Sequence, residues 1–309
     1  MRILVLGAGV IGSVYGGALL KSGHDVAFLA RGSRLYELRA GGLVLEKAET
    51  GVREAVKVPV LDSLSDRDHF DVIFVAVRAE QLSGALQTLA GAKDASDVLI
   101  VGNTAGHQAE LLVALGSRVM FGFPAVGGVR TQGVIRYVKI TQQKTMLGEA
   151  DGSMTPRIVA MQGALDGAGF PTVISADISA WLLAHAAFVV PIAYALYRMD
   201  VDPAKLAADS GALRAMVLAT RQAFVALRSD GNREIPGNLI ALYLRLPSMF
   251  AVGYWRRVMS GPRGELWFGA HSRAAPEEMR AMADELQEAL RGRGRLTPEL
   301  DRLLAGNPG

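Results

Sequence analysis

The chain has 309 residues, half of them hydrophobic and a fifth charged, with a formal net charge of +3 and no cysteine. That length and apolar content allow two domains with sizeable cores and exclude a disordered chain. The missing cysteines exclude disulfides, thiolate catalysis and cysteine-ligated metal, and no Lys/Arg run longer than two residues offers a nucleic-acid face.

Taken in order, Arg2–Leu6 (RILVL) reads as a short strand ending at glycine, and Val10–Lys21 as a helix stopped by Gly23. Glycines at 7, 9, 12, 16 and 17 interrupt this opening apolar stretch, so a signal peptide is not expected. Residues 26–29 are a second strand, 35–40 a helix, and 42–46 and 56–60 further strands. The continuous apolar runs 71–77 (DVIFVAV) and 97–101 (DVLIV) suit strands buried on both faces, with an amphipathic helix over 80–89 between them. Strands alternating with helices predict a parallel sheet covered on both sides. Residues 119–123, 133–140 and 145–148 read as short strands with Gly-rich joints, 155–168 as a helix and 172–174 as a last strand. Beyond residue 175 the pattern is helical: 178–198, 203–228, 236–260, 276–291 and 297–305. The fold expected is an α/β domain over 1–172 followed by an all-helical domain over 173–309. The most apolar window, 181–197 (WLLAHAAFVVPIAYALY), falls short of the ~20 residues that span a bilayer. It carries His185 and Pro191, so a buried helix and no membrane segment are expected.

Gly7-Ala8-Gly9-Val10-Ile11-Gly12 is GxGxxG placed directly after a strand and opening a helix. Gly7 permits the tight turn, Gly9 lets a pyrophosphate approach the backbone, and Gly12 allows close helix–strand packing. The N–H groups of the first helical turn, with Val10 and Ile11, face the phosphates. In that context the motif points to a Rossmann-type dinucleotide site. After the second strand, where a carboxylate would hold the ribose of NAD, stands Arg31, with Ser33 and Arg34 following. A guanidinium there pairs with a 2′-phosphate and a carboxylate would repel it, so NADP is the expected cofactor.

These features, with VAVRAEQL after a later strand, GNTAG after the next, and LPSM followed by GELW in the helical half, make the chain resemble the ketopantoate reductases (2-dehydropantoate 2-reductases) and their wider family. The resemblance spans nearly the whole chain. It implies a Rossmann domain plus a helical domain, an active site in the cleft between them, and hydride transfer from NADPH to the keto carbon of a 2-keto acid. It places Arg78, where the family usually has lysine, and Gln81 near the cofactor. Asn103 would hold cofactor and substrate, Ser248 would bind the substrate, and Glu265 would lie near the reacting carbonyl. The family's general acid, a lysine opening a K-L-x-x-N run, has no counterpart. Aligned on Pro191 its place falls at Leu182, and the asparagines that follow become Ala186 and Val190. Lys205 is the only lysine after Lys144.

Hydride addition creates an alkoxide that needs a donor. His185, i+3 from Leu182 on the same helix face, is the candidate replacement, since a histidine of ordinary pKa can donate a proton at neutral pH. Glu265 serves as acid only if buried, or orients His185 or a water. The expected catalytic set is thus His185, Glu265 and Asn103. The five histidines show no metal-ligand spacing, so no metal is expected. The first expectation is an NADP-dependent reductase of a small 2-keto acid, cytoplasmic and homodimeric through the second domain. The alternatives are a non-catalytic NADP(H)-binding protein and an opine-type dehydrogenase.

Overall fold

Short runs that are apolar on both faces need neighbours on either side, and here they supply them to one another. A computed structural model describes residues 1–65, 68–78, 81–90, 97–104 and 107–305. The chain forms two units, Met1–Ile178 and Ser179–Gly309.

The strands of the first unit are β1 (Arg2–Leu6), β2 (Asp25–Leu29), β3 (Leu43–Lys47), β4 (Arg53–Val56), β5 (Val60–Leu61), β6 (Val72–Val75), β7 (Asp97–Val101), β8 (Val119–Phe123), β9 (Val126–Thr131), β10 (Val134–Lys139), β11 (Thr145–Glu149) and β12 (Thr172–Ile174). Eight of them form one sheet in the order β12-β11-β8-β7-β6-β1-β2-β5. It is parallel apart from the antiparallel pair β8–β11. The chain winds outward from β1 through β2 to β5, then returns to β6 and winds the other way. The β1/β6 junction is therefore the reversal point, beside which open α/β sheets bind ligands at their strand C-termini.

The remaining strands form a second sheet, β4-β3-β10-β9, closed by parallel pairing of β3 with β10. It is built from two segments far apart in sequence, and the strand signals alone do not reveal their pairing. The helix Val10–Lys21 packs between the two sheets, which is why it is buried nearly all round instead of along one stripe. Its glycines set the spacing. A Cβ on Gly16 would meet Val5 and Phe28 of the large sheet, and one on Gly17 would meet Leu43 and Leu45 of the small one. On the same helix, Tyr15 accepts a hydrogen bond from the Ala125 N–H (2.9 Å), shares one with the Thr145 hydroxyl (2.7 Å) and stacks on Phe170.

The first unit reaches further than the expected division at 172/173, which would cut through β12. Thr172–Ile174 pairs with Thr145–Leu147, so the large sheet holds this segment and the unit runs on to Ile178.

In the second unit the helices are Ile178–Tyr197, Pro203–Ala208, Ser210–Ser229, Gly237–Ile240, Ser248–Met259, Pro262–Gly264, Ala270–Ala274, Pro276–Gly292 and Pro298–Leu304, with π-helical turns at Ala241–Arg245 and Glu265–Gly269. Two expected helices are split. Asp209 leaves helical geometry and caps the next helix, its carboxylate accepting from the Ala212 N–H at 2.9 Å. Leu246 is extended because Pro247 follows it. The turns over 262–274, in a Gly- and Pro-containing stretch, are not anticipated by periodicity. Ile178–Tyr197 has 20 residues, so the expectation that it is too short to span a bilayer does not hold. What marks it as a core helix is packing: 67% of its apolar window is buried, and Ala184 through Leu196 contribute heavily to the unit's core.

The glycine turn generates a stability prediction. Gly7 has φ +106 and its Cβ would strike the Ala76 carbonyl, while a Cβ on Gly12 would strike the Gly7 carbonyl. A Cβ on Gly9 meets nothing within 4 Å. In chemical denaturation, Gly12→Ala is expected to lose about 1–3 kcal/mol or more. Gly9→Ala should stay within about 0.5 kcal/mol of the parent.

Candidate functional site

In the first unit, the residues singled out in the sequence collect at the C-terminal ends of four adjacent parallel strands. Gly7–Gly12 follows β1, Arg31 follows β2, Arg78 follows β6 and Asn103 follows β7. The register Leu6↔Leu29 sets the glycine turn and the β2 end side by side. Gly9 is the N-cap of the helix Val10–Lys21, with no side chain capping it. The first-turn N–H groups of Val10, Ile11 and Gly12 thus have no intrahelical acceptor by geometry. Gly7 and Gly12 are explained by packing, whereas Gly9 is exposed with open space where a side chain would be. That space is the cradle a phosphate group needs, and the residues present fit a dinucleotide.

Arg31 is exposed at the N-cap of the helix Gly32–Gly41, and its guanidinium donates to the Thr88 hydroxyl at 3.3 Å. That contact uses one of its five N–H donors. Ser33 lies exposed in the first turn of the same helix. Arg34 behaves differently from the expectation that grouped it with Arg31. It is only 9% exposed and points into the glycine turn, donating from Nε to the Ala8 carbonyl at 3.0 Å. Arg78 and Gln81 are joined locally, the Arg78 N–H donating to Gln81 Oε1 (3.3 Å) and the Gln81 N–H to the Arg78 carbonyl (2.9 Å). Ala79 and Glu80 of VAVRAEQL, and Ala105 and Gly106 of GNTAG, lie outside the described residues. Asn103 is half-buried, between Gly102 at φ +155 and the buried Thr104.

The second unit holds His185, Ser248 and Glu265. The three positions where the resemblance expects polar groups are core positions here: Leu182 is 2% exposed, Ala186 1% and Val190 0%. His185 is half-buried, stacked on Trp181 (ring centroids 5.3 Å, 10° between planes) and edge-on to Phe188 at 6.5 Å. Desolvation, with a smaller push from His271, takes its pKa down to about 3. The imidazole is therefore neutral at neutral pH, and the expected donation from an imidazolium is not what this setting provides. A neutral ring still carries one N–H that can donate a hydrogen bond.

Ser248 opens the helix Ser248–Met259, directly after the Pro247 that ends the preceding turn, and is half-buried. Glu265 begins a π-helical turn and is exposed, not buried. Arg273 takes both its oxygens, at 2.8 and 3.3 Å, and also donates to the carbonyl of Val201 at 3.0 Å. Val201 has φ +54, a left-handed conformation that a β-branched residue adopts only under constraint. The contacts Glu265 makes are those of a strut for that turn. Sequence reasoning missed the Arg273 partner, eight residues on, because the intervening π-helical turn breaks the usual i+4 spacing. Among the described residues no three His, Asp or Glu side chains gather in metal-binding geometry.

Residues 3–152 match the model of the family described as ketopantoate reductase PanE/ApbA. The oxidoreductase YkpB of Bacillus subtilis is 29% identical over 181 residues, covering 58% of each chain. The 2-dehydropantoate 2-reductase of Pyrococcus abyssi is 27% identical over 192 residues, covering 60% of each. The chain thus spans about three-fifths of the length of these curated relatives. The fold as a whole is similar to that of a D-mandelate dehydrogenase solved with NADH and anilino(oxo)acetate. There the TM-score is 0.76 at 17% identity, over 98% of this chain and 96% of that one.

The setting of His185 gives a prediction with a definite sign. Its folded pKa, about 3, lies below the ordinary 6.5. At pH 7 the ring is neutral in the folded chain and mostly neutral in the unfolded one, so it makes little difference to stability. As pH falls below 6.5 the unfolded chain takes up a proton that the folded one refuses, and stability drops by about 1.4 kcal/mol per pH unit. Denaturant unfolding of the parent and His185→Phe at pH 7 and pH 5 should show the parent losing about 2 kcal/mol more than the variant. Equal losses would mean the ring titrates normally.

Proposed function

We propose that this chain, whose residues 3–152 are a ketopantoate reductase PanE/ApbA family domain, is a nicotinamide-dependent oxidoreductase that prefers NADP and interconverts a small 2-keto acid with its 2-hydroxy acid. The observation that carries the proposal is the placement of Gly7–Gly12, Arg31, Arg78 and Asn103 at the C-terminal ends of β1, β2, β6 and β7, around the sheet's reversal point. The names of the similar proteins support the substrate class, because 2-dehydropantoate and mandelate share a carboxylate next to the reacting carbon.

In this reading the N–H groups of Gly9, Val10, Ile11 and Gly12 hold the pyrophosphate. Arg31, helped by Ser33, holds the 2′-phosphate, and Arg78, Gln81 and Asn103 flank the remainder. A bound nicotinamide supplies or accepts a hydride. His185 would donate a hydrogen bond from its neutral ring to the substrate oxygen, stabilising developing charge, and solvent water would supply the proton that completes the hydroxyl, leaving hydroxide to the solvent. Ser248 holds the substrate by its hydroxyl. Glu265 acts through Arg273 on the shape of its own segment.

A second reading, a non-catalytic NADP(H)-binding protein, is favoured by one observation: Leu182, Ala186 and Val190 are buried apolar side chains in the places where the family's lysine and asparagines are expected. Absorbance at 340 nm separates the two. Purified protein with NADPH and a panel of 2-keto acids, 2-dehydropantoate and benzoylformate among them, should oxidise NADPH with at least one member. Saturable NADPH binding with no turnover on any member would favour the second reading. For either reading, Arg31→Ala should weaken NADPH about 10- to 100-fold, the worth of a charge-assisted contact, and leave NADH within a few-fold. Equal loss for both cofactors would remove the case for NADP.

A further inference from the structure

A buried guanidinium is costly unless its donors are met. Those of Arg34 are met by the glycine turn and its surroundings. Nε donates to the Ala8 carbonyl at 3.0 Å and Nη2 to the Ser13 hydroxyl at 3.3 Å. Nη1 donates to Glu37 Oε2 at 2.9 Å and to the Gly133 carbonyl at 3.3 Å. Glu37 also accepts from Arg130, so it ties Arg34 to the small sheet as well as balancing its charge. The Ser13 hydroxyl in turn donates to the Ala8 carbonyl at 3.2 Å. One carbonyl oxygen, lying between two glycines where the backbone has the least steric restraint, thus receives two side-chain donors.

The consequence follows from peptide geometry. The Ala8–Gly9 peptide is trans, so its C=O and N–H point in opposite directions within one plane. Holding the Ala8 carbonyl against Arg34 and Ser13 turns the Gly9 N–H to the other side of the loop, and Gly9 is exposed with nothing within 4 Å of where a Cβ would stand. We propose that Arg34, seconded by Ser13, is a positioning residue that fixes the Ala8–Gly9 peptide plane so that the Gly9 N–H is presented to the diphosphate of a dinucleotide. The proposal rests on the reading that this loop binds a nicotinamide dinucleotide. It separates the two arginines by what they serve: Arg31 the additional phosphate of NADPH, Arg34 the diphosphate that NADPH and NADH share.

The experiment is calorimetric titration of the full-length chain with NADPH and, separately, NADH, for the parent, Arg34→Lys, Ser13→Ala and Arg31→Ala. Thermal melts serve as the control for folding, and the Gly9 amide resonance is followed by ¹H–¹⁵N NMR. Arg34→Lys should weaken both cofactors alike by about 10-fold and Ser13→Ala by about 2- to 5-fold, as expected for lost hydrogen bonds. The NADPH/NADH ratio should be unchanged, and the Gly9 amide should shift in the free protein. Arg31→Ala should collapse the ratio and leave the Gly9 amide in place. If Arg34→Lys melts early, Ser13→Ala decides. Parent-like binding of both cofactors by Ser13→Ala and any folded Arg34→Lys overturns the proposal, as does a loss in Arg34→Lys confined to NADPH. If the parent binds neither cofactor, the dinucleotide reading itself fails and the proposal falls with it.

Discussion

The first unit depends on one close approach: the helix Val10–Lys21 lies against the β1 turn with no room for a side chain at Gly12. Gly7, whose carbonyl a Cβ on Gly12 would strike, has φ +106, and the helix begins three residues on with Gly9 as its N-cap. The same helix is wedged between two sheets, with Gly16 and Gly17 opening its opposite sides, and Tyr15 bonds it to Thr145 and Ala125. A helix so tightly held keeps its end where it is. The backbone donors there are organised before any ligand arrives, which is what makes a peptide loop an effective binder of phosphate.

In the second unit, the decisive fact is burial. The helix Ile178–Tyr197 is apolar enough to be swallowed by its neighbours, and that removes polar chemistry from the positions where a ketone reductase is expected to hold it. His185 is polar within that apolar helix, yet desolvation keeps it uncharged beside Trp181. A neutral imidazole stabilises charge by hydrogen bonding, a weaker contribution than a lysine's full charge makes.

Much of the first unit could be read from sequence because its signals are local. Gly7, Gly9 and Gly12 fall in six residues, and the buried strands announce themselves as apolar runs. The small sheet could not be read, since β3 and β10 lie about ninety positions apart and nothing in either run names its partner. Arg34 differs from Arg31 for a related reason: Arg31 is the extended N-cap while Arg34 lies inside the helix, and only the packed structure shows the Arg34 side chain meeting Ala8. Glu265 was legible as a motif residue but not as the partner of Arg273, and the ordinary histidine assumed at 185 gave way to one shifted by burial. Pattern locates side chains well, and it reports poorly on the dielectric around them.

The decisive measurement is a crystal structure grown with NADP at saturating concentration. Pyrophosphate oxygens are expected within hydrogen-bond distance of the N–H groups from Gly9 to Gly12, the 2′-phosphate against the Arg31 guanidinium, and Arg34 still closed on the Ala8 carbonyl. A dinucleotide bound elsewhere, or one lying with its 2′-phosphate away from Arg31, would contradict this arrangement.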